Sequence, residues 1–115
     1  MATTKRHLWR RLSNSNNLFL IAGPCVIESE ALCVKVARAL STTCDQLGVT
    51  YVFKASYDKA NRTSGKSRRG PGLQEGLRIL KTIREKVGVP VLTDVHDVAQ
   101  STSAAEVVDI IQIPA

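Results

Sequence analysis

Aromatic residues are scarce in this 115-residue chain: one Trp, two Tyr and two Phe, 4% in all. So few rings give no platform on which bases could stack, and nucleic-acid binding is not expected despite a net charge of +6. Cysteine is equally thin. Cys25, Cys33 and Cys44 form no CxxC pair and no even set, which argues against a disulfide framework and for a reducing, cytoplasmic setting. No apolar run approaches the roughly 18 residues that a membrane-spanning helix needs. Internal repeats and low-complexity linkers are also missing. Acid is absent from residues 1–17, where Lys5, Arg6, Arg10 and Arg11 sit among Ser and Asn. That composition without a clear apolar face predicts a disordered basic leader over 1–17 rather than a transit peptide. One domain with a modest core is expected over 18–115.

What is present alternates. Leu18–Ala22 is a continuous apolar run, as in a strand buried on both faces, and Gly23-Pro24 is expected to end it and present Cys25 in a loop. Ser29 can cap a helix whose stripe is Leu32, Val36, Leu40, Thr43 and Leu47, stopped by Gly48. Cys33 and Cys44 lie beside that stripe and read as small buried thiols. Tyr51–Phe53 opens a second strand. Leu73, Leu77, Leu80, Ile83 and Val87 mark a second helix, ended by Gly88. Val89–Thr93 is a third strand, with Pro90 near its start where it costs least. Asp97 caps a third helix over Val98–Val107, and Asp109–Ile113 is a fourth strand.

The order βαβαβαβ predicts right-handed crossovers and a parallel sheet. Polar residues gather at one end of it: Cys25 after strand one, Lys54 and Ser56 at the exit of strand two, Asp94 and His96 at that of strand three, Gln112 at that of strand four. Both a (β/α)8 barrel and an open doubly wound sheet bind ligands at those ends. The charge is also local. Residues 51–72 carry Lys54, Lys59, Arg62, Lys66, Arg68 and Arg69 against the single acid Asp58, and close on Gly70-Pro71-Gly72 before a helix. Cations, hydroxyls and a helix start in one stretch suit a bound anion; a solvated basic loop is the plainer reading.

Several motifs stand in fixed order: Gly23-Pro24-Cys25-Val26-Ile27-Glu28-Ser29, Lys54-Ala55-Ser56, Lys59-Ala60-Asn61-Arg62-Thr63-Ser64, Arg69-Gly70-Pro71-Gly72-Leu73, Thr93-Asp94-Val95-His96 and Gln112-Ile113-Pro114-Ala115. Together they resemble the 3-deoxy-D-manno-octulosonate-8-phosphate (KDO-8-phosphate) synthases, from about Leu18 to Ala115. The related 3-deoxy-D-arabino-heptulosonate-7-phosphate (DAHP) synthases share the Gly-Pro-Cys turn but usually carry a shorter Lys-Pro-Arg-Thr run. The resemblance favours the barrel, of which this chain would form about the first half, since a full one needs roughly 250 residues.

The resemblance also implies chemistry. The enzyme would be a cytoplasmic transferase condensing phosphoenolpyruvate with D-arabinose 5-phosphate, in a pathway to a sugar acid of lipopolysaccharide or plant cell walls. Lys54 and Lys59 would hold phosphoenolpyruvate, with Ser56 and Gln112 adding hydrogen bonds. Asn61, Arg62, Thr63 and Ser64 would bind arabinose 5-phosphate, Arg62 at its phosphate and partly across a subunit interface of a homo-oligomer, a tetramer. Lys59, Asn61 and Asp94 are the implied catalytic residues, Asp94 near the sugar hydroxyls. His96 stands open between a direct role and local packing. Cys25 after Gly-Pro implies the metal-dependent class, with Zn, Fe or Mn on a thiolate and the remaining His, Glu and Asp ligands outside these 115 residues. Arg68 departs from the aromatic residue usual before Arg-Gly-Pro-Gly. Taken alone, a half-barrel is expected to show little or no catalysis, with open edges and an apolar interior that invite self-pairing. An erythrose 4-phosphate enzyme and a non-catalytic anion-binding module are the alternatives.

Overall fold

The computed structural model describes residues 2–14, 16–58 and 70–114, the side chains of 2–6 and 14 excepted. Eight elements follow one another: α1 (Ala2–Asn14), β1 (Phe19–Val26), α2 (Glu30–Leu47), β2 (Thr50–Ser56), α3 (Leu73–Lys86), β3 (Val91–Asp94), α4 (Val98–Ala105) and β4 (Ile110–Gln112). The strands form one sheet in the order β1-β2-β3-β4, each pair parallel. Sequential parallel strands with a helix in each crossover are the architecture of a partial (β/α) barrel.

The alternation of side chains along each strand builds two faces. Tyr51, Phe53, Ala55 and Val91 point toward α2, α3 and α4 and form the main core with Cys33, Ala37, Cys44, Leu77, Leu80, Ile83 and Ala104. The buried line of α2 is Cys33, Ala37 and Cys44; of the expected stripe, Val36 and Leu40 pack beside it partly buried, while Leu47 is 71% exposed. Small side chains on that line let the helix lie close to the large Tyr51 and Phe53. Ser29 caps α2, its Oγ accepting from Leu32 N at 3.1 Å, and Gly48 ends it at φ 69°. Asp97 Oδ1 accepts from Gln100 N at 2.8 Å and caps α4.

The apolar start of β1 is not buried on both faces, with Phe19, Leu20 and Ile21 47%, 37% and 38% exposed, because α1 covers only the β2–β4 part of that face and no strand pairs its other edge among the described residues. Two further expectations fail. The basic leader, expected to be disordered, forms helix α1 over residues 2–14. Leu8 is buried against Val52 and Leu92, with Leu12 and Ile110 beside it, on the sheet face opposite α2–α4. Two leucines one turn apart were enough, because the sheet offered an apolar surface the composition of the leader does not reveal. Arg11 adds a 3.4 Å contact to Thr50 Oγ1. Second, β1 does not end at Gly23-Pro24. Its register with β2 slips between Ala22 and Cys25, then resumes as Cys25 with Ala55 and Val26 with Ser56. The extra residue makes a bulge. Gly23 is required there: a Cβ would overlap the Lys54 carbonyl.

Candidate functional site

The face opposite α2–α4 has two tiers. Val52 and Lys54 and Ser56 share it along β2, as do Leu92 and Asp94 along β3 and Ile110 and Gln112 along β4. The lower tier, Val52, Leu92 and Ile110, is apolar and covered by α1. The upper tier, at the C-terminal ends of the strands, is Lys54, Ser56, Asp94 and Gln112. Register sets Asp94 level with Gln112, and Ser56 joins them through Asp94; Lys54 stands one step below, level with Leu92 and Ile110.

Hydrogen bonds fix the tier. Ser56 Oγ donates to Asp94 Oδ1 at 2.5 Å. His96 Nε2 lies 3.5 Å from Asp94 Oδ2, too long for a good hydrogen bond; this nitrogen is buried and has no hydrogen-bond partner among the described residues. Beneath them Thr93 Oγ1 donates to Ala55 O at 2.8 Å, and Val95 N donates to Gln112 O at 3.1 Å. Lys54 is half-buried and makes no ion pair with a described residue. A cation, a carboxylate and an amide on one strand-end surface can hold a small anion bearing hydroxyls.

Cys25 was expected in a loop after β1; it lies within β1, where pairing resumes after the bulge, at φ 73°. That left-handed conformation costs a non-glycine residue on the order of 1–3 kcal/mol and is held only where the surroundings demand it. Its side chain is exposed, whereas Cys33 and Cys44 are buried in the main core. Burial, with Glu28 and Glu30 adding, pushes the Cys33 thiol up to about 11, so it stays protonated and inert. Among the described residues no three His, Cys, Asp or Glu side chains gather as a metal site. Cys25 is one sulfur donor, and one such donor by itself does not hold a metal.

Lys59, Asn61, Arg62, Thr63 and Ser64, with Lys66, Arg68 and Arg69, lie outside the described residues. The flanks of that stretch are described. Tyr57, which the sequence reading passed over, is fully buried, and its carbonyl accepts from Gly72 N at 3.0 Å. Gly70 and Gly76 pack so closely on Tyr57 that a Cβ at either would overlap it. The Tyr57 hydroxyl donates to Gln100 Oε1 at 2.5 Å. A fully buried aromatic at a strand exit, flanked in space by three glycines, was foreshadowed only by the Gly70-Pro71-Gly72 run.

Known proteins agree with the geometry. The sequence model of the DAHP synthetase I family matches residues 11–115. The chain is 64% identical over 98 residues to a 2-dehydro-3-deoxyphosphooctonate aldolase of Koribacter versatilis, covering 85% of this chain and 35% of that protein. It is 55% identical over 105 residues to the protein of that name from Geobacter sulfurreducens, covering 91% and 39%. For the one from Dechloromonas aromatica the identity is 59% over 97 residues, covering 84% and 35%. The chain thus spans little more than a third of the length of these curated relatives. No helix among the described residues is long and apolar enough to cross a membrane.

Proposed function

Because the chain belongs to the DAHP synthetase I family, we propose that it carries the phosphoenolpyruvate-binding wall of a KDO-8-phosphate synthase, a transferase. The reaction joins carbon 3 of phosphoenolpyruvate to the aldehyde carbon of D-arabinose 5-phosphate. Water adds at carbon 2 and inorganic phosphate leaves. Support comes from the names of the relatives and from one structural observation: Lys54, Ser56, Asp94 and Gln112 share a face at the C-terminal ends of β2, β3 and β4.

On this reading Lys54 and Lys59 neutralise the phosphate and carboxylate of phosphoenolpyruvate, and Ser56 and Gln112 orient it. Asp94, held by Ser56, faces the sugar hydroxyls. Asn61, Arg62, Thr63 and Ser64 take arabinose 5-phosphate, with Arg62 on its phosphate. Fixed charges and orientation carry the catalysis that these residues supply. A divalent metal bound in part by Cys25 would polarise the aldehyde or the water. The described residues do not complete such a site, and no step is drawn through it. A homo-oligomeric, cytoplasmic enzyme is the matching assembly and location.

The 115 residues form one wall of such a site, and turnover by this chain alone is expected to be little or none. Isothermal titration with phosphoenolpyruvate tests the reading. Saturable binding that Lys54→Ala weakens at least tenfold supports it; equal binding by both chains, or none, defeats it. Preference for arabinose 5-phosphate over erythrose 4-phosphate as the second ligand separates it from a DAHP-type site.

A further inference from the structure

Gln100 joins two parts of the molecule that no motif connects. Its Oε1 faces two donors, the Tyr57 hydroxyl at 2.5 Å and the His96 backbone N–H at 3.0 Å. An N–H can only donate, so the amide oxygen and not its NH2 must point there. Gln100 is itself anchored, its N–H on the Asp97 cap. Tyr57 is the other half of the junction. It follows Ser56, precedes Lys59 by two residues, and receives the returning chain through Gly72 N–H. Its ring meets the His96 ring edge-on, centroids 5.9 Å apart at 77°. Burial, and then the nearby Asp94, Asp97 and Asp58 charges, push its hydroxyl up to about 12, so it remains a donor.

We propose that Tyr57 and Gln100 are positioning residues, which lock the exit of β2 and the start of α3 to the Asp94–His96 strand end. This rests on the phosphoenolpyruvate reading above. Neither side chain needs to touch the ligand. The pair sets how the exit of β2 stands against the start of α3, and where the His96 ring stands beside Asp94.

The test uses Tyr57→Phe, Gln100→Met and Gln100→Glu in the whole chain. Three quantities are read: phosphoenolpyruvate affinity, the His96 ring resonances, and hydrogen exchange at Gly72 N–H. Losing one neutral hydrogen bond should weaken affinity about fivefold in Tyr57→Phe and Gln100→Met. The His96 resonances should shift, Gly72 exchange should accelerate, and Gln100→Glu, which still offers an acceptor, should restore most of both. Folded variants with unchanged affinity, resonances and exchange overturn the proposal. Should the unaltered chain not bind phosphoenolpyruvate, the functional reading fails by itself. The His96 and Gly72 signals then decide this proposal, shifted for it and unshifted against it. Tyr57→Phe decides alone if the Gln100 variants do not fold.

Discussion

Ser56 and Asp94, 38 residues apart in sequence, are joined by a 2.5 Å hydrogen bond across β2 and β3. The serine hydroxyl donates to one oxygen of that carboxylate and leaves the other facing His96. Ser56→Ala should therefore weaken phosphoenolpyruvate binding twice over, by a lost contact and by a freed Asp94. A five- to tenfold rise in Kd is expected, on the order of 1 kcal/mol. Calorimetric titration of the folded variant reads it; an unchanged Kd would remove Ser56 from the site.

Gly76→Ala should reverse the usual helix preference. In an exposed helix interior that change stabilises by about 1 kcal/mol. Here the new methyl would overlap Tyr57, a residue packed on all sides. Overpacking costs about 1–3 kcal/mol, so the net effect is destabilising. Urea unfolding measures the sign.

Leu8→Ala separates a packed α1 from a loose leader. Leu8 is 5% exposed, against Val52 and Leu92. Its truncation should cost about 2–4 kcal/mol if α1 stays docked. A disordered leader would lose nothing, and chemical denaturation distinguishes the two.

Alkaline pH should loosen the fold through Cys33. Its thiol, ordinarily 9.0, stands at about 11 because burial, and then Glu28 and Glu30, disfavour the thiolate. A raised folded value favours the native state fully below the unfolded one. Stability should thus hold to about pH 9 and fall progressively toward pH 11. Melting temperature against pH should show that fall, and Cys33→Ala should flatten it. At pH 8, iodoacetamide should label the exposed Cys25 while sparing the buried Cys33 and Cys44.

Much of the polar tier was legible because a strand alternates. Lys54 and Ser56 are two residues apart, as the face requires, and the β–α order sends the exits of β2, β3 and β4 to one end. The caps Ser29 and Asp97 and the stop at Gly48 were legible from local chemistry. Long-range packing was not. The docking of α1 depends on the apolar tier of Val52, Leu92 and Ile110, which a leader read in isolation cannot show. Gly23-Pro24 looked like a terminator, yet its glycine allows a close approach to Lys54 and the strand goes on. Tyr57 carried no motif. Its importance comes from Gly70, Gly72, Gly76 and Gln100 converging on it in space.

The two-tier sheet face is the centre of this account, and amide chemical-shift mapping during phosphoenolpyruvate titration tests it most directly. Perturbations are predicted at Lys54, Ser56, Val95 and Gln112, with Val52 beneath them and Leu8 of α1 unmoved. Perturbations confined to the α2–α4 side, or no saturable change at the strand ends, would contradict it.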